Sequence, residues 1–462
     1  MAAILFGMGN PAETFRRNVR KLLKSRSMSQ REASDVFAIS YKSMRRFSHQ
    51  GLQRPDKRTR VGLEQLARHF DLTLADLWTP DSFKQAAPPD AENILNHLDR
   101  YCGGRFLSIP KQHWRVLADD AARCDERKQE IAERLADVLG RYEAPCPQVS
   151  EERRQSDFEL FMVLPDEREV VDFTFGDSPI GEAAKWSRLG LRFLNSFGFL
   201  QNRIQGGHRS SPSLAEAWKD SARRTSIMRA ALSLKNHLSE ATAFEAASMK
   251  VHVPANFRPV SARAICNEFG RGGTVLDLSA GYGGRFLGFL GSDCRHYIGI
   301  DPNSALRPSF EAMFSWLSDN HEHDKSWNMV WEPAEDVDFS PWHGQVDLIF
   351  SSPPYFNLER YSGEATQSSA RYPTLSEWLD GFLFEALRRS ARCLKPGGHL
   401  VLNVADNSTY GVEIVEPVIE FVRAELRLEL QQVVPLLLSS KPGKDRKQVG
   451  WGRKAEPILI FG

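Results

Sequence analysis

The sequence predicts an α/β fold in which a mostly parallel sheet with an antiparallel C-terminal strand fills the carboxyl-terminal part, behind an all-α segment and a mixed helical region. Three observations predict it. From Gly273 onward, short apolar runs end in an acid, a glycine turn or prolines and alternate with helix-length segments, as parallel strands buried on both faces require. Up to Trp78, apolar residues recur only at helical spacing, with Phe15, Val19, Leu22 and Leu23 on one stripe and Leu63, Leu66, Ala67 and Phe70 on another. The last run, Glu456 to Phe461, reads as a strand antiparallel to its neighbour near Val433 to Leu438.

Bulk properties narrow the function classes. A chain of 462 residues is long enough for about three domains of ordinary size. Its 60 Lys and Arg nearly balance 59 Asp and Glu, so any attraction to nucleic acid must be local. The six cysteines, at 102, 124, 146, 266, 294 and 393, form no C-x-x-C pair, which disfavours both a zinc site and a disulfide framework and points to a reducing, cytoplasmic compartment. No run approaches the roughly 20 apolar residues of a membrane span, and the start lacks the parts of an export signal.

Between residues 11 and 60 there are fourteen Lys and Arg against four Asp and Glu. Ser29-Gln30-Arg31-Glu32 reads as a capping box opening a short helix, Ala38-Ile39-Ser40 as a tight connection, and Tyr41 to about Gln50 as a second helix stopped by Gly51. This pair, with the trailing Leu72 to Leu77, resembles the helix-turn-helix of the lambda-repressor and Cro type over residues 1–84. The resemblance implies that Tyr41, Lys42, Ser43, Arg45 and Arg46 enter or flank the major groove, while Arg54, Lys57 and Arg58 meet phosphates. A solvated basic face on a protein-interaction domain has the same composition.

Ala86 to Asp90 reads as a linker, and residues 85–157 as a helical linker region with helices near Glu92 to Tyr101 and Asp125 to Tyr142. An intermediate region, 158–243, begins with strand-like apolar clusters from Phe158 to Phe175 around Pro165. Beyond Trp218 and the Arg223-Arg224 pair it holds a helix ending near Ala243. By position this region is a candidate for target recognition.

The last domain, 244–462, carries the chemistry. Strand Thr274 to Leu278 runs into Ser279-Ala280-Gly281-Tyr282-Gly283-Gly284-Arg285, a turn whose glycines let the backbone approach a ligand. A second strand ends in Asp301, 24 residues after Asp277, near the spacing at which open α/β folds place an acid on a ribose. A third is followed by Glu335 and Asp336, and a fourth, Val346 to Ser351, stops at Ser352-Pro353-Pro354-Tyr355 because two prolines cannot continue a ladder.

Asp-x-x-x-Gly-x-Gly resembles the S-adenosylmethionine loop of class I methyltransferases, and Ser-Pro-Pro-Tyr resembles the catalytic motif of the DNA amino-methyltransferases. The resemblance implies a Rossmann-like class I methyltransferase fold and S-adenosylmethionine as cofactor. On this alignment Asp277, Ser279, Gly281 and Gly283 line the methionine side, Asp301 meets the ribose hydroxyls, and Glu335 or Asp336 meets the adenine amino group. Phe257-Arg258, before Pro259, stands beside the methionine end or is simply a helix-entry turn. The resemblance also implies double-stranded DNA as partner, with room for a cognate restriction endonuclease. The base would be flipped out and stacked on Tyr355. A serine at the first motif position favours cytosine N4 over adenine N6. A DNA-binding transcriptional regulator, autoregulatory or not and with a vestigial or secondary methylase half, is the competing class. No metal is called for, and the oligomeric state is not legible.

Overall fold

The buried runs read from the sequence become strands of one sheet. The computed structural model describes residues 15–20, 23, 57–69, 77, 89–163, 188–234, 237–437 and 455–462. The chain divides into two compact units, Met1–Pro147 with Ala215–Val251, and Gln148–Leu214 with His252–Gly462. Tyr41, Lys42, Ser43, Arg45, Arg46 and Arg54 and the Pro165 region lie outside the described residues. Lys57 and Arg58 open the helix Lys57–His69.

In the first unit the described residues of the amino-terminal segment are helical. Phe15, Val19 and Leu23 are buried, as are Leu63, Leu66 and Ala67. The expected helix at 125 runs over Asp125–Leu139 and buries Ile131, Leu135 and Leu139 on one face, with Asp125 and Glu126 in its first turn. The single helix expected to end near Ala243 is instead two, Ser221–Ser233 and Glu240–Lys250. Between them the backbone of Leu238 exchanges two hydrogen bonds with Ile109, which forces an extended conformation, and Ser239 caps the second helix by accepting from the Thr242 N–H. That second helix runs through position 243. Arg224 lies inside the first one and donates to the carbonyls of Trp218 and Ala136, so it ties helices together.

In the second unit, Phe158 and Phe161 belong to helix Glu151–Met162 and not to a strand. Ser150 caps it and glutamates fill its first turn, while the two phenylalanines bury themselves at i, i+3 spacing. The sheet has seven strands: β1 Thr274–Asp277, β2 His296–Ile300, β3 Ser326–Val330, β4 Val346–Ser351, β5 Leu394–Asn403, β6 Leu430–Leu437 and β7 Ala455–Phe461. Their spatial order is β3-β2-β1-β4-β5-β7-β6. The ladders from β3 to β5 are parallel, and β7 is antiparallel to both β5 and β6. This is the expected Rossmann-like class I methyltransferase fold.

Successive residues at the end of β4 feed two core layers: Leu348 and Phe350 belong to the one with Phe286, Phe289, Tyr297 and Phe310, and Ile349 between them to the one with Trp378, Leu387 and Leu402. Val346, before the register shift in the β4–β5 ladder, also joins the second layer. Pro396-Gly397-Gly398 lie in a bulge within β5: Val346 pairs with Leu394 but Leu348 pairs with His399. Gly397 supplies the positive φ of 76° that the bulge requires.

Helix Gly284–Gly291, which follows the glycine turn, packs against helix Pro259–Ile265 at close range. A β-carbon at Gly288 would overlap the Ala262 methyl and stand 2.7 Å from the Arg263 nitrogen. Gly288→Ala is therefore expected to cost about 1–3 kcal/mol through overpacking. Chemical denaturation would register this as a lower midpoint with an unchanged slope.

Candidate active site

In a sheet of this order the connections from β1 and β4 leave in opposite directions, and the crevice at the carboxyl ends of these two strands is where ligands bind. The structure brings Asp277, Ser279, Gly281, Gly283, Asp301, Glu335 and the motif Ser352–Tyr355 to that edge, each at or just beyond the end of a parallel strand.

Asp277 ends β1 with no exposure to solvent. Its Oδ2 accepts from Arg285 Nε at 2.8 Å and from the Tyr297 hydroxyl at 2.8 Å. Its Oδ1 accepts from the Ser279 N–H at 3.1 Å and from the Ser351 hydroxyl at 3.3 Å. Burial, then the charge of Asp277, holds the Tyr297 phenol protonated far above its ordinary range. Both oxygens of Asp277 are thus engaged within the protein, and its work in this structure is to shape the turn. Arg285 is likewise committed: besides Asp277 it donates to the Ser279 carbonyl, and it lies over the rings of Phe257 and Phe350.

The turn has the backbone that its glycines allow. Gly281 and Gly283 have φ of 58° and 78°, a region closed to most side chains. The Gly281 N–H donates to Asp301 Oδ2 at 2.7 Å, and Asp301 Oδ1 accepts from the Asn303 N–H at 2.9 Å. Burial pushes the Asp301 carboxyl up to about 6, with the two N–H donors opposing the shift. Asn256 donates to the Tyr282 carbonyl at 2.9 Å, and a β-carbon on Gly284 would run into the Phe257 carbonyl. Phe257 therefore lies against the turn, and Arg258 precedes Pro259 at the first position of its helix, so both readings of this segment fit. The Tyr282 hydroxyl is buried and finds no hydrogen-bond partner among the described residues.

Beyond β3, Glu335 is buried and Asp336 is half exposed. Arg371 reaches both, at 2.6 Å from Glu335 Oε1 and 2.7 Å from Asp336 Oδ2. Glu335 Oε2 is buried with no donor among the described residues. Burial raises the pKa of this carboxyl.

Beyond β4, the motif meets residues that sequence reasoning missed. The Ser352 hydroxyl donates to Asn403 Oδ1 at 3.3 Å. The Tyr355 hydroxyl stands 3.1 Å from both Asn403 Oδ1 and Glu456 Oε2. Asn403 closes β5 and Glu456 is the second residue of β7, which starts at this edge because it runs antiparallel. The available signal was one polar residue ending an otherwise apolar strand, Leu400 to Asn403. Phe356, next in the chain, has φ of 56°, a strained value for a bulky residue. His252 Nε2 bonds Glu359 Oε1, whose partner Oε2 accepts from the Tyr361 hydroxyl at 2.5 Å, a second polar network beside the motif.

No protein-family model matches the sequence, and no curated protein matches it. Solved structures similar to it include the putative methyltransferase of Haloferax volcanii, in complex with the Trm112 activator. That chain is 14% identical over 41% of this chain and 82% of its own, with a TM-score of 0.26. An S-adenosylmethionine dependent methyltransferase from Mesorhizobium loti is 12% identical over 44% of this chain and 95% of its own, with a TM-score of 0.29. A geranyl diphosphate methyltransferase in complex with SAM is 16% identical over 47% and 89%, with a TM-score of 0.28. The strand order β3-β2-β1-β4-β5-β7-β6, with β7 reversed, defines the fold.

Asp277→Ala leaves the Arg285 guanidinium, 5% exposed, without its carboxylate. The expected loss is about 3–5 kcal/mol in chemical denaturation, and Asp277→Leu combined with Arg285→Met should recover part of it.

Proposed function

We propose that the protein transfers a methyl group from S-adenosylmethionine to the exocyclic amino nitrogen of a base flipped out of double-stranded DNA, with cytosine N4 favoured over adenine N6. The observation that carries this reading is the position of Ser352–Tyr355 at the end of β4, beside the glycine turn that ends β1. The residues present fit the cofactor. Gly281 and Gly283 give a turn without side chains, Asp301 is a buried acceptor at the end of β2, and the unpartnered Glu335 Oε2 offers an acceptor for an amino group.

When bound, the cofactor supplies an electrophilic methyl group on a sulfonium, which becomes a neutral thioether as the carbon–sulfur bond breaks. The rest is done by the chain. An aromatic amino group is a weak nucleophile because its lone pair is delocalised into the ring. Acceptors at the Ser352 hydroxyl and the Pro353 carbonyl hold its two hydrogens and favour a more localised pair on nitrogen, in line with the methyl carbon. That pair forms the new carbon–nitrogen bond, and one amino proton then leaves to solvent. Pro353 and Pro354 keep the loop rigid, and Tyr355 presents a ring face for stacking. No cysteine nucleophile takes part.

The basic amino-terminal segment supports DNA as the substrate, with Tyr41, Lys42, Ser43, Arg45, Arg46, Arg54, Lys57 and Arg58 as the contact set. The same charge excess favours a second reading, a transcriptional regulator that binds the promoter of its own gene. In that case Arg45→Ala weakens promoter binding, and the intact protein methylates no DNA.

Ser352→Ala and Tyr355→Ala are each expected to lower transfer of labelled methyl groups to DNA by about 100-fold or more, and undiminished methylation in both would overturn the site. Hydrolysis of the product to nucleosides and mass spectrometry should yield N4-methylcytosine; N6-methyladenine would assign the other base. Asp301 gives a pH dependence. Its carboxylate is the better acceptor for ribose hydroxyls, and it is neutralised as pH falls through about 6. The Kd for S-adenosylmethionine is therefore expected to rise about tenfold from pH 7 to pH 5 in calorimetric titration, and Asp301→Asn should flatten the profile.

A further inference from the structure

We infer that Asn403 is a positioning residue that fixes the polarity of the Ser352 hydroxyl and, with Glu456, the plane of the Tyr355 ring. The inference rests on the amino-group transfer proposed above and adds residues from two further strands to it.

A serine hydroxyl carries one proton and two lone pairs, and it rotates freely unless something takes the proton. An unrestrained Ser352 would often present its proton to the amino group it has to hold, setting donor against donor. The Oδ1 of Asn403, 3.3 Å away, accepts that proton and leaves the serine lone pairs for the substrate. The amide cannot turn over to present its nitrogen instead, because Asn403 Nδ2 donates to the Pro457 carbonyl at 3.0 Å. That carbonyl is held in turn by the β5–β7 ladder, in which Asn403 faces Ile458. Asn403 is 2% exposed, so water does not compete for its oxygen.

Tyr355 has one phenolic proton for two acceptors at 3.1 Å. The bond to the Glu456 carboxylate is the charge-assisted one and takes the proton, which leaves the Asn403 oxygen free for Ser352. With its hydroxyl anchored between the ends of β5 and β7, the ring is held at its far edge and its face stays in register with the serine. The positive φ of Phe356 agrees: a strained residue directly after the motif persists only where surrounding contacts over-determine the loop.

The test is steady-state methyl transfer to DNA by the full-length protein, with Asn403→Leu, Asn403→Asp, Ser352→Ala and the Ser352→Ala/Asn403→Leu pair. Asn403→Leu is expected to lower kcat about 100-fold with the KM for cofactor and DNA changed by less than about twofold, the pattern of a misplaced group and not of weakened binding. In the Ser352→Ala background the same substitution should cost less than about threefold more, since its effect runs through the serine. Asn403→Asp retains an oxygen acceptor and should stay within about tenfold of the unaltered protein. A kcat for Asn403→Leu near that of the unaltered protein would overturn the inference, as would a loss carried by KM alone or full additivity with Ser352→Ala. If Asn403→Leu does not fold, judged by lost cofactor binding, Asn403→Asp decides: a folded variant as slow as Ser352→Ala overturns the assignment. An unaltered protein that methylates no DNA removes the proposed function and this inference with it, and that outcome is read from the control before any variant.

Discussion

The buried carboxylate of Asp277 is the contact on which the second unit depends. An ionised group without exposure survives in a protein interior only if its neighbours replace water, and four donors do so here. They come from the turn itself, from the first helix after it through Arg285, from β2 through Tyr297 and from β4 through Ser351. One charge therefore holds three adjacent strands and the glycine turn in a single arrangement. Such a network adds less to stability than its bond count implies, since desolvating both charges offsets much of the Coulombic gain. What it secures is the conformation of the turn.

The second constraint is the reversal of β7. Had the last strand run parallel to its neighbours, its first residues would lie at the opposite edge of the sheet. Running antiparallel, it brings Glu456 to the carboxyl edge, where the hydroxyl of Tyr355 meets it. The motif after β4 is thus braced by β5 and β7, while the turn after β1 is braced by β2 through Asp301. Cofactor and substrate halves of the proposed site have separate supports joined through β1 and β4.

Local patterns proved readable where one cause sets the structure. The inner strands β1, β2 and β4 are apolar because both faces are covered, and their ends are marked by acids, glycines or prolines, so Asp277, Asp301 and Ser352 could be placed at strand ends from spacing. Phe158 to Met162 show the opposite case. Apolar residues crowd there without clear period, and the decision for a helix came from the Ser150 cap and from which two phenylalanines the core accepted. The break near residue 238 was equally illegible, because a bridge to Ile109, more than a hundred residues away, imposed it.

By itself, the sequence determined the fold class of the carboxyl-terminal part, the order of its strand-end groups and the residue types offered at each, since these depend on periodicity and on the backbone chemistry of glycine and proline. Only the tertiary structure decided which groups are already engaged and which remain available. Asp277 and Arg285 satisfy each other, whereas Glu335 keeps one oxygen without a donor among the described residues. It also decided that Asn403 and Glu456 stand against the motif. Hydrogen bonding depends on proximity within about 3 Å, and proximity between residues fifty or a hundred positions apart is set by how strands align in a sheet.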